Sequence, residues 1–215
     1  MVLKVGVLIS GRGSNLQALI DAAAVSDFPA RIAVVVSNKA GAMGLKRAEK
    51  AKIPAHVISH KSFKTPEAFE DALDEALEAA GVELICLAGF MRLLSKAFVN
   101  KWKGRIINIH PSLLPLFKGL HVHERVLESG SRVSGCTVHF VRADMDSGPI
   151  IIQAAVPVMP DDTPDSLAER VLAWEHQIYP QAVRFIAEKR VRVSGEIVRI
   201  TGEAAPAPGF MSPAG

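Results

Sequence analysis

Cysteine is scarce in this chain of 215 residues, which contains only two. Cys86 and Cys136 each lie within an apolar, strand-like stretch, and neither belongs to a C-x-x-C pair. Structural zinc sites and disulfide frameworks need clustered cysteines at characteristic spacings, so neither is predicted. We expect both cysteines to be reduced residues of the hydrophobic core.

Long apolar runs and blocks of like charge are also missing. The densest apolar run, residues 84–91, is far shorter than the roughly 20 residues that a membrane-spanning helix needs. The apolar start at residues 2–9 lacks the basic lead and the A-x-A-like cleavage site of a secretory signal. The formal charge of +3 is spread along the chain, without a Lys/Arg block for nucleic acid. We therefore expect a cytoplasmic protein that binds small anionic ligands, not nucleic acid or membrane.

The first half alternates short β-rich runs with segments of helical period. This alternation predicts an α/β fold, an open, doubly wound and mostly parallel sheet with helices on both faces. The predicted strands are residues 3–9, 32–37, 55–59, 84–88 and 105–109, and the predicted helices are residues 15–24, 44–51, 66–80 and 95–102.

The second half changes pattern. Residues 134–141 and 150–158 read as two strands joined by a loop with Gly and Asp, which predicts an antiparallel extension of the sheet. A long helix is predicted from Thr163 to about Lys189, and Pro180 should kink or break it. The prediction is one domain over residues 1–200, with a phosphate-binding half (1–110), a catalytic half (111–200) and a flexible tail (201–215).

A glycine-rich loop, SGRGSN at residues 10–15, joins the first strand to the first helix. Backbone N–H groups at a helix N-terminus attract an anion, and glycine lets the chain approach it. No Gly-Lys-Ser/Thr follows, and Leu16 occupies the third glycine position of a dinucleotide fingerprint, so nucleoside triphosphates and dinucleotides are disfavoured. The alternative is a plain tight turn capped by Ser14 or Asn15.

A second candidate is the segment NIHPSLLP at residues 108–115, at the end of the fifth predicted strand. Asn108 and His110 are two residues apart on a strand, so their side chains project to the same face. A buried structural histidine is the alternative. Parallel sheets bind ligands outside the carboxyl ends of their strands, so this pair should share one crevice with residues 13–15 and 89–92.

The loop VRADMDSGP at residues 141–149 carries Asp144 and Asp146 and is either a solvated turn or part of that crevice. If Asp146 reaches His110, it should favour the protonated imidazole. Several side chains in this half of the chain could be metal ligands, but no H-E-x-x-H or paired-cysteine spacing exists, so no metal is predicted. These possible ligands are His110, His121, His123, His139, Asp144 and Asp146.

Three motifs in this order, AGFMR at residues 88–92, NIHPSLLP and DSGP at residues 146–149, resemble the folate-dependent formyltransferases. VLISGRGSNLQ at residues 7–17 and EHQIYP at residues 175–180 resemble the branch that acts on a purine precursor. The resemblance runs from residue 2 to about 200. It implies a Rossmann-like formyltransferase fold. It also implies transfer of the formyl group of 10-formyltetrahydrofolate to the amino group of glycinamide ribonucleotide in purine biosynthesis, without a metal.

The resemblance also implies residue roles. Asn108, His110 and Asp146 would be catalytic, and Glu175 would help bind the ribose. Residues 13–15 (Gly13, Ser14 and Asn15) would hold the substrate phosphate. The folate would contact Phe90, Met91, Arg92, Leu93, Leu94, Asn108, Val141, Arg142, Ala143, Asp144, Met145 and Asp146. The apolar slot for its pterin ring would be formed by Phe90, Leu93, Ile106, Val141 and Met145.

Several alternatives stay open. Residues 111–123 are either a mobile lid or a rigid wall, and residues 116–118 and Pro66 depart from the family pattern. A formyltetrahydrofolate deformylase is expected to have an extra N-terminal regulatory domain, and methionyl-tRNA formyltransferase a basic C-terminal domain. These 215 residues contain neither, which favours a small-molecule acceptor. A non-catalytic folate- or nucleotide-binding module is the remaining rival, and the chain is expected to be a monomer or homodimer.

Overall fold

The structure is a computed structural model and describes residues 2–202 and Ser212. The predicted tail from residue 201 onward therefore lies, apart from Thr201, Gly202 and Ser212, outside the described residues.

Seven strands form one sheet in the order β3-β2-β1-β4-β5-β6-β7. The first five pair in parallel, whereas β6 pairs antiparallel with both β5 and β7. The prediction of a mostly parallel sheet with an antiparallel extension is confirmed. The strands are β1 (Leu3–Ile9), β2 (Ala30–Ser37), β3 (Ala55–Val57), β4 (Leu84–Leu87), β5 (Ile106–His110), β6 (Val133–Phe140) and β7 (Ile150–Pro157).

Helices cover both faces of the sheet because alternate strand residues point to opposite sides. Val7 and Ile9 pack in a core cluster with residues of α1 and α6, whereas Leu8 packs in a second cluster with residues of α3 and α4. Cys86 and Cys136 are buried and unpaired, and burial raises the pKa of each thiol to about 12. The helices are α1 (Ser14–Ala23), α2 (Met43–Lys50), α3 (Pro66–Ala79), α4 (Lys96–Lys101), α5 (Val122–Glu128) and α6 (Pro164–Ala187).

Of the kink or break predicted at Pro180, the break is wrong, because α6 is one helix of 24 residues that continues through it. Proline removes one backbone donor, but the neighbouring Tyr179 is fully buried and holds this turn against the sheet. Its hydroxyl donates to the carbonyl oxygens of Leu87 at 2.9 Å and of Ile107 at 3.2 Å. Tertiary packing therefore outweighs the local cost of the proline.

Three elements were not predicted, and the first is a short 3-10 helix at His60–Ser62. The short helix α5 includes residues 122 and 123, the last two of the segment proposed as a lid or wall. A separate antiparallel hairpin, β8 (Val191–Ser194) and β9 (Ile197–Ile200), follows α6. These helices have at most two turns, and each strand of the hairpin has four residues. Elements this short give weak periodicity in a sequence.

The order of strands reverses between β1 and β4, because the chain builds outward from β1 to β3 on one side and from β4 onward on the other. Open α/β sheets bind ligands at the carboxyl ends of strands at such a switch point. Ser10, directly after β1, receives a hydrogen bond at its Oγ from the Met91 backbone N–H at 2.8 Å. Its hydroxyl donates to Asn38 Oδ1 at 2.7 Å, which ties together the segments after β1, β2 and β4.

Candidate active site

A cavity of about 680 Å³ opens at the carboxyl ends of β4 and β5. Its walls are the segment after β4, the end of β5, residues 119–124 and the loop between β6 and β7. Twelve residues predicted to contact folate line this cavity. They are Phe90, Met91, Arg92, Leu93, Leu94, Asn108, Val141, Arg142, Ala143, Asp144, Met145 and Asp146.

The predicted apolar slot needs one correction. Phe90, Leu93, Val141 and Met145 line the cavity, but Ile106 does not. Ile106 is 1% exposed and packs in the core cluster on the α3 side of the sheet. It lies at the amino end of β5, four residues before His110.

The loop between β6 and β7 turns sharply enough to aim Asp146 inward. Asp146 adopts the left-handed conformation with φ of 46°, which non-glycine residues use rarely, often at functional sites. Gly148 has φ of 113°, and a Cβ there would lie 2.2 Å from the Phe140 carbonyl oxygen. The turn therefore needs glycine at residue 148, and the Asp146 side chain is left only 12% exposed.

His110 and Asp146 meet in the cavity. The His110 Nδ1 lies 3.5 Å from the Asp146 Oδ2, and the His110 ring is almost fully buried. The same carboxylate oxygen accepts the Gly119 N–H at 2.7 Å, while the His110 Nε2 lies 3.0 Å from the Phe117 carbonyl oxygen. Both ring nitrogens thus face oxygen acceptors, an arrangement that suits donation from both nitrogens. The lid-or-wall segment is therefore tied to the predicted catalytic pair at residues 117 and 119.

His139 is a site residue that the sequence interpretation did not assign to the reaction. It is 2% exposed, it lines the cavity, and its Nε2 lies 3.3 Å from the Asn108 Nδ2. Its Nδ1 faces the carbonyl oxygens of Phe140 at 3.0 Å and Ser147 at 3.2 Å, so that nitrogen carries the hydrogen. Burial lowers the pKa of His139, and the neutral ring therefore accepts at Nε2 from the Asn108 amide.

This contact fixes the orientation of the Asn108 amide. One Nδ2 hydrogen is donated to His139, which leaves the second for a ligand in the cavity. The contact between Asn108 and His139 follows from the register of β5 and β6, in which these two residues are directly paired. Nothing in a sequence states that register, however, and so the histidine was read only as a possible metal ligand.

We expect His139→Leu to lower turnover about 5- to 10-fold, the effect of losing one neutral hydrogen bond of about 1 kcal/mol. His139→Gln keeps an acceptor near the former Nε2 and should retain most of the activity, whereas His139→Asn keeps only the Nδ1 position and should resemble the leucine variant. Turnover at saturating substrate checks this. Equal activity of the glutamine and asparagine variants would contradict an orienting role.

The predicted phosphate-binding residues lie next to the cavity, not in it. Gly13 is the N-cap of α1, with φ of 70°, and Ser14 begins the helix. A Cβ on Gly13 would lie 2.6 Å from the Gly44 Cα, so the loop requires glycine there for both conformation and space. The hydrogen bond from Met91 to Ser10 joins this loop to the cavity wall. The predicted single crevice is therefore a cavity with an adjoining glycine-rich loop at residues 10–15, named the anion loop below for its predicted ligand.

Asn15 and Glu175 form a buried polar pair at that loop. The Asn15 Nδ2 donates to the Glu175 Oε2 at 2.7 Å, and both residues are more than 90% buried. Burial raises the pKa of Glu175, an effect that the hydrogen bond from Asn15 opposes. The Asn15 Oδ1 is buried without a partner among the described residues. Buried polar atoms normally have partners, so this oxygen indicates a ligand that brings a donor.

His121 and His123, which the sequence offered as possible metal ligands, also line the cavity. Within residues 2–202 and Ser212, no three His, Cys, Asp or Glu side chains are grouped as metal ligands. In the same part of the chain, the helices are all too short or too polar to cross a membrane.

Comparison with known proteins agrees with these features. A family model described as Formyl transferase matches residues 3–183. The Trifunctional purine biosynthetic protein adenosine-3 of Bos taurus is 55% identical over 197 residues, covering 92% of this chain but 19% of that protein. The chain thus spans about a fifth of the length of this relative.

Shorter relatives match along almost their whole length. Phosphoribosylglycinamide formyltransferase of Haemophilus influenzae is 43% identical over 207 residues, covering 96% of this chain and 98% of the relative. The crystal structure of glycinamide ribonucleotide transformylase 1 from Symbiobacterium toebii superposes with a TM-score of 0.91 at 50% identity. It covers 93% of this chain and 94% of that one.

Proposed function

This chain belongs to the formyl transferase family, and from that premise we propose that it moves a formyl group from 10-formyltetrahydrofolate to the amino group of glycinamide ribonucleotide. The observation that carries the proposal is the single cavity that holds Asn108, His110 and Asp146 together with the predicted folate contacts, beside an anion loop. The folate co-substrate would occupy the cavity, and the ribonucleotide phosphate would lie at the loop.

The loop and its buried pair suit a phosphorylated ribose. The first backbone N–H groups of α1 have no acceptor within the helix, and together with the helix dipole they favour a phosphate. Glu175 accepts from Asn15 and retains a second carboxylate oxygen for a ribose hydroxyl. A ribonucleotide held with its phosphate at the loop and its ribose at Glu175 places its glycine amine toward the adjoining cavity.

The reaction needs a neutral amine, a positioned formyl carbon and stabilisation of an oxyanion. The amine nitrogen attacks the formyl carbon and forms a C–N bond, while the carbonyl electron pair moves to oxygen. A proton then passes from the attacking nitrogen to the departing folate nitrogen, the bond to that nitrogen breaks, and tetrahydrofolate leaves. No covalent enzyme intermediate is required.

The proposed roles follow from the contacts. The free Nδ2 hydrogen of Asn108 donates to the formyl oxygen, where negative charge develops. His110, held by Asp146, stabilises the same oxyanion, and Asp146 with an ordered water relays the proton. The His110 Nε2 is engaged by the Phe117 carbonyl at 3.0 Å, so the lid-or-wall segment has to yield or share that bond when the oxyanion forms.

The test is tetrahydrofolate formation from 10-formyltetrahydrofolate by the purified chain, with and without glycinamide ribonucleotide, in the presence of a metal chelator. Release that depends on the ribonucleotide is expected. Release without it would instead indicate a deformylase, and binding of both ligands without release would indicate a non-catalytic module. Loss of activity in chelator would contradict the metal-free reaction.

We also propose that the chain is a cytoplasmic monomer or homodimer that uses only small-molecule substrates. The mild net charge of +3 and the absence of a basic block support the exclusion of nucleic acid. Light scattering on the purified protein, with and without both substrates, would give the oligomeric state directly.

A further inference from the structure

The anion loop is fastened to α2 by two backbone carbonyls. The Gly11 carbonyl oxygen accepts from the Gly44 N–H at 3.1 Å, and the next one, on Arg12, accepts from the Arg47 Nε at 3.0 Å. The first donor is a backbone N–H in the first turn of α2, and the second is a side chain one turn later on the same helix. The donors thus hold two consecutive peptide groups of the loop from one direction.

Peptide geometry converts these contacts into an orientation of the loop's donors. The peptides after Gly11 and Arg12 are trans, so each carbonyl points opposite to the following N–H. Because the carbonyls point toward α2, the N–H groups of Arg12 and Gly13 point away from it. Within residues 2–202 and Ser212 neither N–H has a protein acceptor, so both are available to an anion.

Arg47 also contributes charge and a second anchor. Its Nη1 donates to the Gln17 Oε1 of α1 at 3.1 Å, and no carboxylate of the described residues lies within ion-pair distance of the guanidinium. Burial, and after it the charge of Arg47, lowers the pKa of His176, the neighbour of Glu175. The guanidinium therefore lies near the same end of the site as the buried pair.

We propose that Arg47 is the positioning residue of the anion loop: its fork to the Arg12 carbonyl and Gln17 fixes the peptide that presents the Gly13 N–H to the substrate phosphate. The inference rests on the proposed function and adds a residue to it. Without this fork the Arg12–Gly13 peptide is free to rotate, and a rotated peptide would turn a carbonyl dipole toward the phosphate in place of a donor.

Two substitutions separate orientation from charge. Arg47→Gln removes both the charge and the fork, whereas Arg47→Lys keeps the charge but replaces the rigid pair of donor nitrogens, Nε and Nη1, by one flexible ammonium. Lys46→Gln is the matched control, because Lys46 is exposed on the same helix and loses one charge likewise. All variants are compared with the full-length parent.

Both Arg47 variants should raise KM for glycinamide ribonucleotide about 10-fold, the effect of losing a charge-assisted hydrogen bond, with kcat unchanged. With the riboside that lacks the phosphate, they should match the parent. Calorimetric titration with inorganic phosphate should show the same weakening of about 10-fold. Lys46→Gln should match the parent in every assay.

Each contrary result overturns the proposal. If Arg47→Lys behaves like the parent, the charge of Arg47 matters and its geometry does not. If Lys46→Gln weakens phosphate binding as much as Arg47→Gln does, the effect comes from the net charge of the protein and not from Arg47. A fall in kcat with both substrates, or weaker folate binding, would mean a general structural role. If the parent does not formylate the ribonucleotide, the proposed function fails, yet the phosphate titration still decides the role of Arg47.

Discussion

Replacing Asn108 by alanine will lower turnover about 10²- to 10³-fold, the usual cost of removing one oxyanion donor, while both ligands still bind. The reason is the orientation of the amide. His139 takes one Nδ2 hydrogen at 3.3 Å, and the other is directed into the cavity, where the formyl oxygen is proposed to lie. That donor gains strength only as charge develops on the oxygen, so its loss affects the transition state more than the bound substrates.

Single-turnover kinetics with separate titrations of each ligand would measure this effect. Asn100→Ala is the matched control, because Asn100 is exposed on α4, outside the cavity. The double variant Asn108→Ala with His139→Leu should be no slower than Asn108→Ala alone, since His139 acts through the amide that has been removed. Near-parental turnover of Asn108→Ala would remove Asn108 from the reaction.

The centre of the sheet was predictable because β1, β2, β4, β5 and β6 are largely buried on both faces and have mostly apolar sequences. The predicted strand at residues 3–9 has the same bounds as β1. The predicted strand at residues 134–141 is shifted by one residue from β6, and the one at residues 150–158 is one residue longer than β7. The continuity of α6 through Pro180 could not be predicted from local rules for proline. It depends on the buried Tyr179, whose hydroxyl donates to two strand carbonyls.

The site was predictable where it depends on strand ends and less so where it depends on register or tertiary contacts. Asn108 and His110 follow from a period of two on one strand. His139 requires the pairing of β5 with β6, and Ile106 requires the depth of the cavity along β5. Arg47 lies in a helix 35 residues from the carbonyl it contacts, and no local pattern marks such a bond.

Asp146→Asn is expected to reduce turnover about 10²- to 10⁴-fold, within the range for a group that assists proton transfer, with little change in affinity for the ribonucleotide. Asparagine has the same shape and tolerates the left-handed conformation that Asp146 adopts. Its carbonyl oxygen can still accept from Gly119, as Oδ2 does at 2.7 Å. The substitution therefore removes the negative charge facing His110 and little else.

A second substitution distinguishes that charge from the anchoring of the loop. Asp146→Ala removes both the charge and the acceptor for Gly119, so a purely anchoring role predicts that asparagine is active and alanine is not. A charge role predicts that both are similarly slow, and Asp161→Asn, at an exposed carboxylate outside the cavity, should match the parent. The phosphate lies at the separate anion loop, so calorimetry with the ribonucleotide should give parental affinity for Asp146→Asn. A loss confined to that affinity would assign Asp146 to the structure of the site, since a charge that acts only on His110 cannot weaken contacts made at Gly13 and Asn15.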